Sequence, residues 1–205
     1  MMLSRSRFWS LLVTGLVVTG IVAGNALADE GHDHGGSKSE QKIAKTLASL
    51  SPADRQAAEA QRFCPMMVRT RLGADGKPIK VNINGQTVFV CCKGCVEDAK
   101  EDGQATLKMA KKLTKASANI AKLGPRDRAA AEAQKYCAVQ TDSMLGIMGP
   151  PVKVRVNGKT AFLCCGGCRA KAQSNPQATL ANVEKLKKAE KGHGHGHDHG
   201  HKHNH

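Results

Sequence analysis

Aromatic side chains are nearly missing from this chain: one Trp, one Tyr and four Phe among 205 residues. Proteins that hold single-stranded nucleic acid stack its bases on aromatic rings. Nucleic acid is therefore not an expected partner, although the formal net charge is +14. Most lysines fall in stretches that read as helical, such as 108–115 and 185–191, where a solvated face accounts for them. Loose attraction to an anionic envelope surface fits the same charge. Histidine is absent from the whole middle of the chain. No His stands near a cysteine in sequence, and neither a nucleophile–base pair nor a phosphate loop is apparent. The chain is read as a non-enzyme.

Long apolar runs are confined to one place. Residues 8–24 are apolar, broken only by Ser, Thr and Gly. Arg5 and Arg7 precede this run, and Asn25-Ala26-Leu27-Ala28 follows it with a small-x-small ending. The pattern is that of a secretory signal peptide cut after Ala28. The alternative is an uncleaved anchor, but 17 residues lie at the bottom of the spanning range. No cysteine follows the cut, which argues against a lipoprotein. A periplasmic or secreted protein with no stable membrane span after cleavage is expected. Loss of Arg5 and Arg7 leaves 31 − 2 = 29 basic and 17 acidic side chains, a net charge of +12.

What the chain does have is a duplication. Positions 50–107 align with 123–180 at a constant offset of 73, without a gap, and 29 of the 58 pairs are identical. All eight cysteines lie inside the repeat, four per copy: Cys64, Cys91, Cys92 and Cys95, then Cys137, Cys164, Cys165 and Cys168.

Both copies read in the same element order. The first opens "SPADRQAAEAQRFC", with Ser51 as N-cap, Pro52 in the first turn and Asp54 at the positive helix end. "GPRDRAAAEAQKYC" opens the second. A loop follows, then "KVNINGQTVFV" or "KVRVNGKTAFL", in which apolar and polar residues alternate around Asn84-Gly85 or Asn157-Gly158. Asn-Gly between such runs predicts a type I′ hairpin. The return strand delivers the cluster Cys-Cys-x-Gly-Cys. Short helices are expected over 96–101 and 169–173, and longer ones over 104–123 and 177–191.

Each copy is near 60 residues, at the small end for an independent core. Such a domain needs disulfides or a metal. Cys64 and Cys91 are separated by 26 residues, mostly hairpin, while Cys91–Cys95 and Cys92–Cys95 have C-x3-C and C-x2-C spacing. At a strand-to-helix turn either spacing lets two sulfurs face one centre, as in zinc knuckles. Neighbouring strand residues point to opposite faces. Cys91 and Cys92 are thus not both expected to face inward unless the strand has already ended. Three thiolates form the expected core set, with the fourth completing it or serving exchange. A disulfide framework is the competing reading, because an exported chain meets an oxidising compartment and four cysteines per copy is an even number. A pure staple, however, needs one cysteine at the hairpin end, not three within five residues. No βαβ pattern surrounds the C-x2-C, which argues against a thioredoxin-type enzyme.

An aromatic-Cys pair, a Val-rich hairpin and Phe-Val-Cys-Cys-x-Gly-Cys resemble the YHS and TRASH-like heavy-metal-binding domains. The resemblance covers both copies, and "Cys64-Pro65-Met66" resembles a common opening of such domains, whereas "Cys137-Ala138-Val139" lacks the Pro. It implies small treble-clef-like modules of the kind attached to metal transporters or exported metal-handling proteins. Its Cys, spacer, Cys-x3-Cys pattern falls on Cys64, Cys91 and Cys95, and on Cys137, Cys164 and Cys168. Cys92 and Cys165 stand where many members carry a small residue, and the 26-residue spacer is somewhat long.

The nine histidines are His32 and His34 near one end, and His193, His195, His197, His199, His201, His203 and His205 at the other. Segments without apolar residues are expected to be disordered. Dense imidazoles chelate Zn, Ni, Cu or Co. The Gly, Asp, Lys and Asn spacers are unlike a purification tag. Thiolates suit Zn2+ and Cu+, and imidazoles suit Zn2+, Ni2+ and Cu2+, with Co2+ also possible at the tails. Met66, Met67, Met144 and Met148 could add thioether ligands for Cu+, although flexible packing is the commoner role of Met.

The resulting expectation is an α+β chain of two tandem small treble-clef-like domains joined by a helix. It comprises a signal peptide (1–28), a disordered His-containing segment (29–45), a first Cys-rich repeat (46–107), a helical connector (108–122), a second repeat with its closing helix (123–190) and a disordered His-rich tail (191–205). The expected work is sequestering, buffering or delivering a transition metal, with a metal transporter or efflux component as a possible partner. The rival is a disulfide-held interaction module without a specific metal role.

Overall fold

The computed structural model describes residues 38–191. The signal peptide expected at 1–28 and all nine histidines lie outside the described residues. The fold is α+β: among the described residues there are seven α-helices and two separate two-stranded sheets. No helix among them is long and apolar enough to cross a membrane.

The first copy is built on α2 (Pro52–Gln61), β1 (Ile79–Ile83), β2 (Gln86–Val90) and α3 (Gly94–Glu101). Ser51 caps α2 as expected, its hydroxyl accepting from the Asp54 N–H at 3.2 Å. The strands pair antiparallel with Val81 opposite Val88 and Ile83 opposite Gln86. Asn84 and Gly85 take φ of +50° and +76°, the left-handed pair that a type I′ turn requires. The second copy repeats this with α5 (Pro125–Gln134), β3 (Val152–Val156), β4 (Lys159–Leu163) and α6 (Arg169–Ser174), the last preceded by one 3-10 turn. Asn157 and Gly158 adopt the same turn, at +47° and +75°.

Two further helices carry the repeats. α4 (Gly103–Ile120) follows α3, and α7 (Pro176–Lys191) follows α6. Asp102 caps α4 by accepting from the Ala105 N–H at 3.0 Å. The helix ends at Ile120 rather than 123, since Gly124, held extended before Pro125, starts the next helix. α4 is more than a connector. Its Leu107 and Ala110 lie in the core of the first copy, and its Ile120 in the core of the second.

The stretch 29–45, expected to lack structure, is helical from Lys38. α1 (Lys38–Leu47) buries Ile43 and Leu47, one turn apart, against the first copy. At the offset of 73, Ile43 and Leu47 correspond to Ala116 and Ile120 of α4. The correspondence is structural as well. A Cβ on Gly73 (φ +91°) would meet Ile43 and Leu47, and a Cβ on Gly146 (φ +88°) would stand 2.5 Å from the Ala116 carbonyl oxygen. Asn119 seals the second contact by donating to the Gly146 carbonyl at 2.8 Å. Each copy therefore docks one loop glycine on the helix before it.

The copies meet where the chain leaves α2 and α5. The Arg62 guanidinium donates to Glu132 at 2.7 Å, and the Lys135 ammonium lies 3.2 Å from the centroid of the Phe63 ring. Arg69 stacks over Tyr136. Burial lowers the Lys135 pKa to about 7, with Glu132 opposing and Arg69, Arg62 and Arg71 adding to the drop.

Candidate metal centres

Each cysteine cluster is positioned by a buried glutamine at the end of the helix before it. Gln61 ends α2, and Arg62 then takes a φ of +66° that turns the chain sharply. The Gln61 amide donates to the carbonyls of Phe63 (3.0 Å) and Phe89 (2.6 Å) and accepts from the Phe89 N–H (2.9 Å). One side chain thus ties the residue before Cys64 to the strand that ends next to Cys91. Gln134 does the same in the second copy, with Tyr136 and Phe162, at 2.7, 2.7 and 3.0 Å. Sequence reasoning did not single out these glutamines. Their only signal is identity at matched positions of "AEAQ" in both copies.

From the clamp the chain enters a loop that folds back on itself. The Cys64 N–H donates to the Thr70 carbonyl (3.0 Å), and Phe63 bridges Arg71. β2 ends at Val90, so Cys91 and Cys92 already lie in the turn beyond the strand. The premise of strand alternation does not apply to them. Cys95 follows in the first turn of α3.

The outcome is a triad in each copy. The sulfurs of Cys64, Cys91 and Cys95 all lie within 4.8 Å of one another, as do those of Cys137, Cys164 and Cys168. All six residues are buried. Cys91 and Cys95 stand 3.7 Å apart at sulfur, and Cys164 and Cys168 also 3.7 Å. Metal–sulfur bonds of about 2.3 Å in a tetrahedron place ligand sulfurs about 3.8 Å apart. A disulfide would need about 2.05 Å, and all eight cysteines are free. Cys92 and Cys165 are only half-buried and stand outside the triads. The Cys92 sulfur nevertheless lies 3.6 Å from that of Cys95.

The electrostatics of the first triad favour one thiolate. The Cys64 pKa falls to about 6 because the Cys91 thiol donates to it; burial opposes the drop, and the N–H groups of Cys91, Met67 and Met66 reinforce it. Cys91 is pushed far up by that same hydrogen bond to Cys64, by burial and by the Cys64 charge. Burial and the Cys64 charge raise Cys95 to about 12. In the second triad Cys137 is lowered: burial works against it, but N–H donation from Gln140, Cys164 and Val139 prevails. Cys164 and Cys168 are raised, chiefly by burial.

These directions set a pH dependence. A metal held by three thiolates displaces every thiol proton still present. Above about pH 6 Cys64 is already ionised while Cys91 and Cys95 keep their protons. Affinity of the first triad is therefore expected to rise by about two decades per pH unit above about pH 6, and by about three below it. Chelator competition across this range measures the slope, and a flat profile would contradict a tris-thiolate site.

Of the four methionines considered as thioether ligands, one stands at a triad. The Met67 sulfur is 3.9 Å from that of Cys91. Met66 instead accepts from the Thr106 hydroxyl at 3.6 Å. Met144 bridges Tyr136, and Met148 is exposed. Comparison with models of protein families, with curated proteins and with solved structures finds no match for this chain. Two cysteine triads are positioned to bind a metal ion, one in each repeat.

Proposed function

We propose that this is an exported transition-metal-binding protein that sequesters, buffers or delivers Zn2+-, Cu+/2+- or Ni2+-type ions. The observation that carries the reading is the pair of buried triads, each with a sulfur–sulfur edge of 3.7 Å, near that of a tetrahedral thiolate site. The tails, with His32 and His34 at one end and His193 to His205 at the other, collect ions by weak and rapid imidazole binding. The triads retain them. In this reading the repeats are YHS/TRASH-like, treble-clef-like modules, the chain works by binding rather than catalysis, and a metal transporter or efflux component receives or supplies the ion. Export follows from the signal-peptide pattern ending at Ala28.

Cobalt distinguishes this from a disulfide-held interaction module. Co2+ bound by thiolate gives an intense charge-transfer absorption that imidazole-bound Co2+ lacks. The full, reduced chain is expected to develop that band to saturation at two equivalents, with the triad thiols protected from alkylation. If the chain isolated from its own compartment carries all eight cysteines as disulfides, and the reduced chain binds Co2+ without the band, the proposal fails.

A further inference from the structure

The two triads match residue for residue, but what stands beside them does not. At the offset of 73, Met67 corresponds to Gln140. The Met67 thioether sulfur lies 3.9 Å from the Cys91 thiol. The Gln140 side-chain oxygen occupies the corresponding place, accepting from the Cys164 thiol at 3.5 Å. Both residues are exposed, so each stands on the solvent side of its buried triad. Three protein ligands leave a fourth tetrahedral position. Besides the half-buried Cys92 and Cys165, which both copies share, the group nearest the Cys91 thiol is a soft, polarisable sulfur and the one nearest the Cys164 thiol is a hard amide oxygen.

Ligand softness separates metals at otherwise equal sites. Thiolate and thioether together select Cu+, whereas carbonyl oxygen suits harder, divalent ions, and Zn2+ accepts mixed sulfur and oxygen sets. Charge runs the same way: an oxygen dipole does more for a dication than for a monocation. Neighbouring methionine does not supply a second thioether here, because the Met66 sulfur is engaged by Thr106. In the second copy Ser143 holds Gln140 in place, its N–H donating to the Gln140 backbone carbonyl at 2.9 Å and its hydroxyl to the side-chain oxygen at 3.4 Å, an oxygen whose two lone pairs allow a second partner.

From this difference, and resting on the metal-binding reading above, we infer that the two sites divide the cargo. The Cys64–Cys91–Cys95 site with Met67 takes the soft monovalent cation, Cu+ or Ag+. The Cys137–Cys164–Cys168 site with Gln140 takes the divalent ion of Zn2+ type. One chain then carries two metals of different charge without exchanging them, and the repeats are not interchangeable copies.

The test uses the full, reduced chain under anaerobic conditions with one equivalent each of Zn2+ and Cu+. Alkylation followed by peptide mass mapping reports which triad each ion protects when added alone and together. Cu+ is expected to protect Cys64, Cys91 and Cys95 at least about 10-fold better than the second triad, and Zn2+ the reverse. Exchanging the two groups, Met67→Gln with Gln140→Met, should reverse the ratio. Because both side chains are exposed, the exchange leaves the cores intact, which circular dichroism verifies. Equal protection of both triads by each metal, unchanged by the exchange, overturns the division of cargo and leaves metal binding standing. No protection of either triad by any metal overturns both.

Discussion

Cys64→Ser is expected to reduce thiolate-bound metal from two ions per chain to one. Cys64 is the residue through which the first site is assembled: it is buried, it arrives from the far side of the hairpin, and it is the group poised as thiolate near neutral pH. Serine keeps the size but supplies no thiolate. Loss of an outer partner of a metal ligand alone costs 10–100-fold in affinity, so loss of a ligand should weaken the first site by more than about 100-fold. The second site, with its own complete triad, should be unchanged. Cys92→Ser is the matched control. Its sulfur approaches Cys95 but stands outside the triad, so two ions should remain bound. Metal content after dialysis against a weak chelator reads both variants. If Cys92→Ser loses an ion and Cys64→Ser does not, the ligand assignment is wrong.

The second large effect is expected at Gln61. Replacing it with Leu keeps the bulk but removes one acceptor and two donor N–H groups from a buried position. The carbonyls of Phe63 and Phe89 and the Phe89 N–H all lose their partner. An unsatisfied buried polar group costs about 1–3 kcal/mol, and the greasier side chain recovers part of the sum. Gln61→Leu should therefore destabilise the metal-free chain by about 3–5 kcal/mol, read by denaturant unfolding. Because the clamp holds Cys64 against the strand leading to Cys91, metal affinity of the first site should fall with it, while the second site keeps its own clamp at Gln134. A loss below about 1 kcal/mol, with affinity of the first site unchanged, would show that the clamp neither holds the fold nor positions the thiols.

The hairpins and helix starts were legible because few residues can do what they require. Asn-Gly fits a turn needing two left-handed residues, and Ser51 at a helix entry has a specific acceptor role. The triads were legible from spacing, since a hairpin returns the chain to its starting point and C-x3-C spans the turn into a helix. Strand alternation, which allows at most one of Cys91 and Cys92 to face inward unless the strand has ended, does not bear on them, because the strand ends at Val90; Cys91, the one the resemblance favours, joins the triad.

The pattern failed where identity is low but burial is kept. α1 matches the second half of α4 at few positions, such as Lys42 with Lys115 and Ala48 with Ala121. What the two helices share is a buried apolar pair, Ile43 and Leu47 matched by Ala116 and Ile120, on a helix that a loop glycine approaches closely. The duplication read from 50–107 is thus a repeat that begins one helix earlier, with α4 serving both copies. The clamping glutamines escaped for another reason. Glutamine is ordinarily a surface residue, and nothing local marks the one whose amide reaches a strand 28 positions away.

X-ray absorption at the zinc edge of the full chain, loaded with two equivalents of Zn2+, tests the central claim most directly. Two thiolate triads predict a first shell dominated by sulfur at about 2.3 Å. A shell of nitrogen and oxygen alone at about 2.0–2.1 Å would place the metal in the histidine tails and contradict the account.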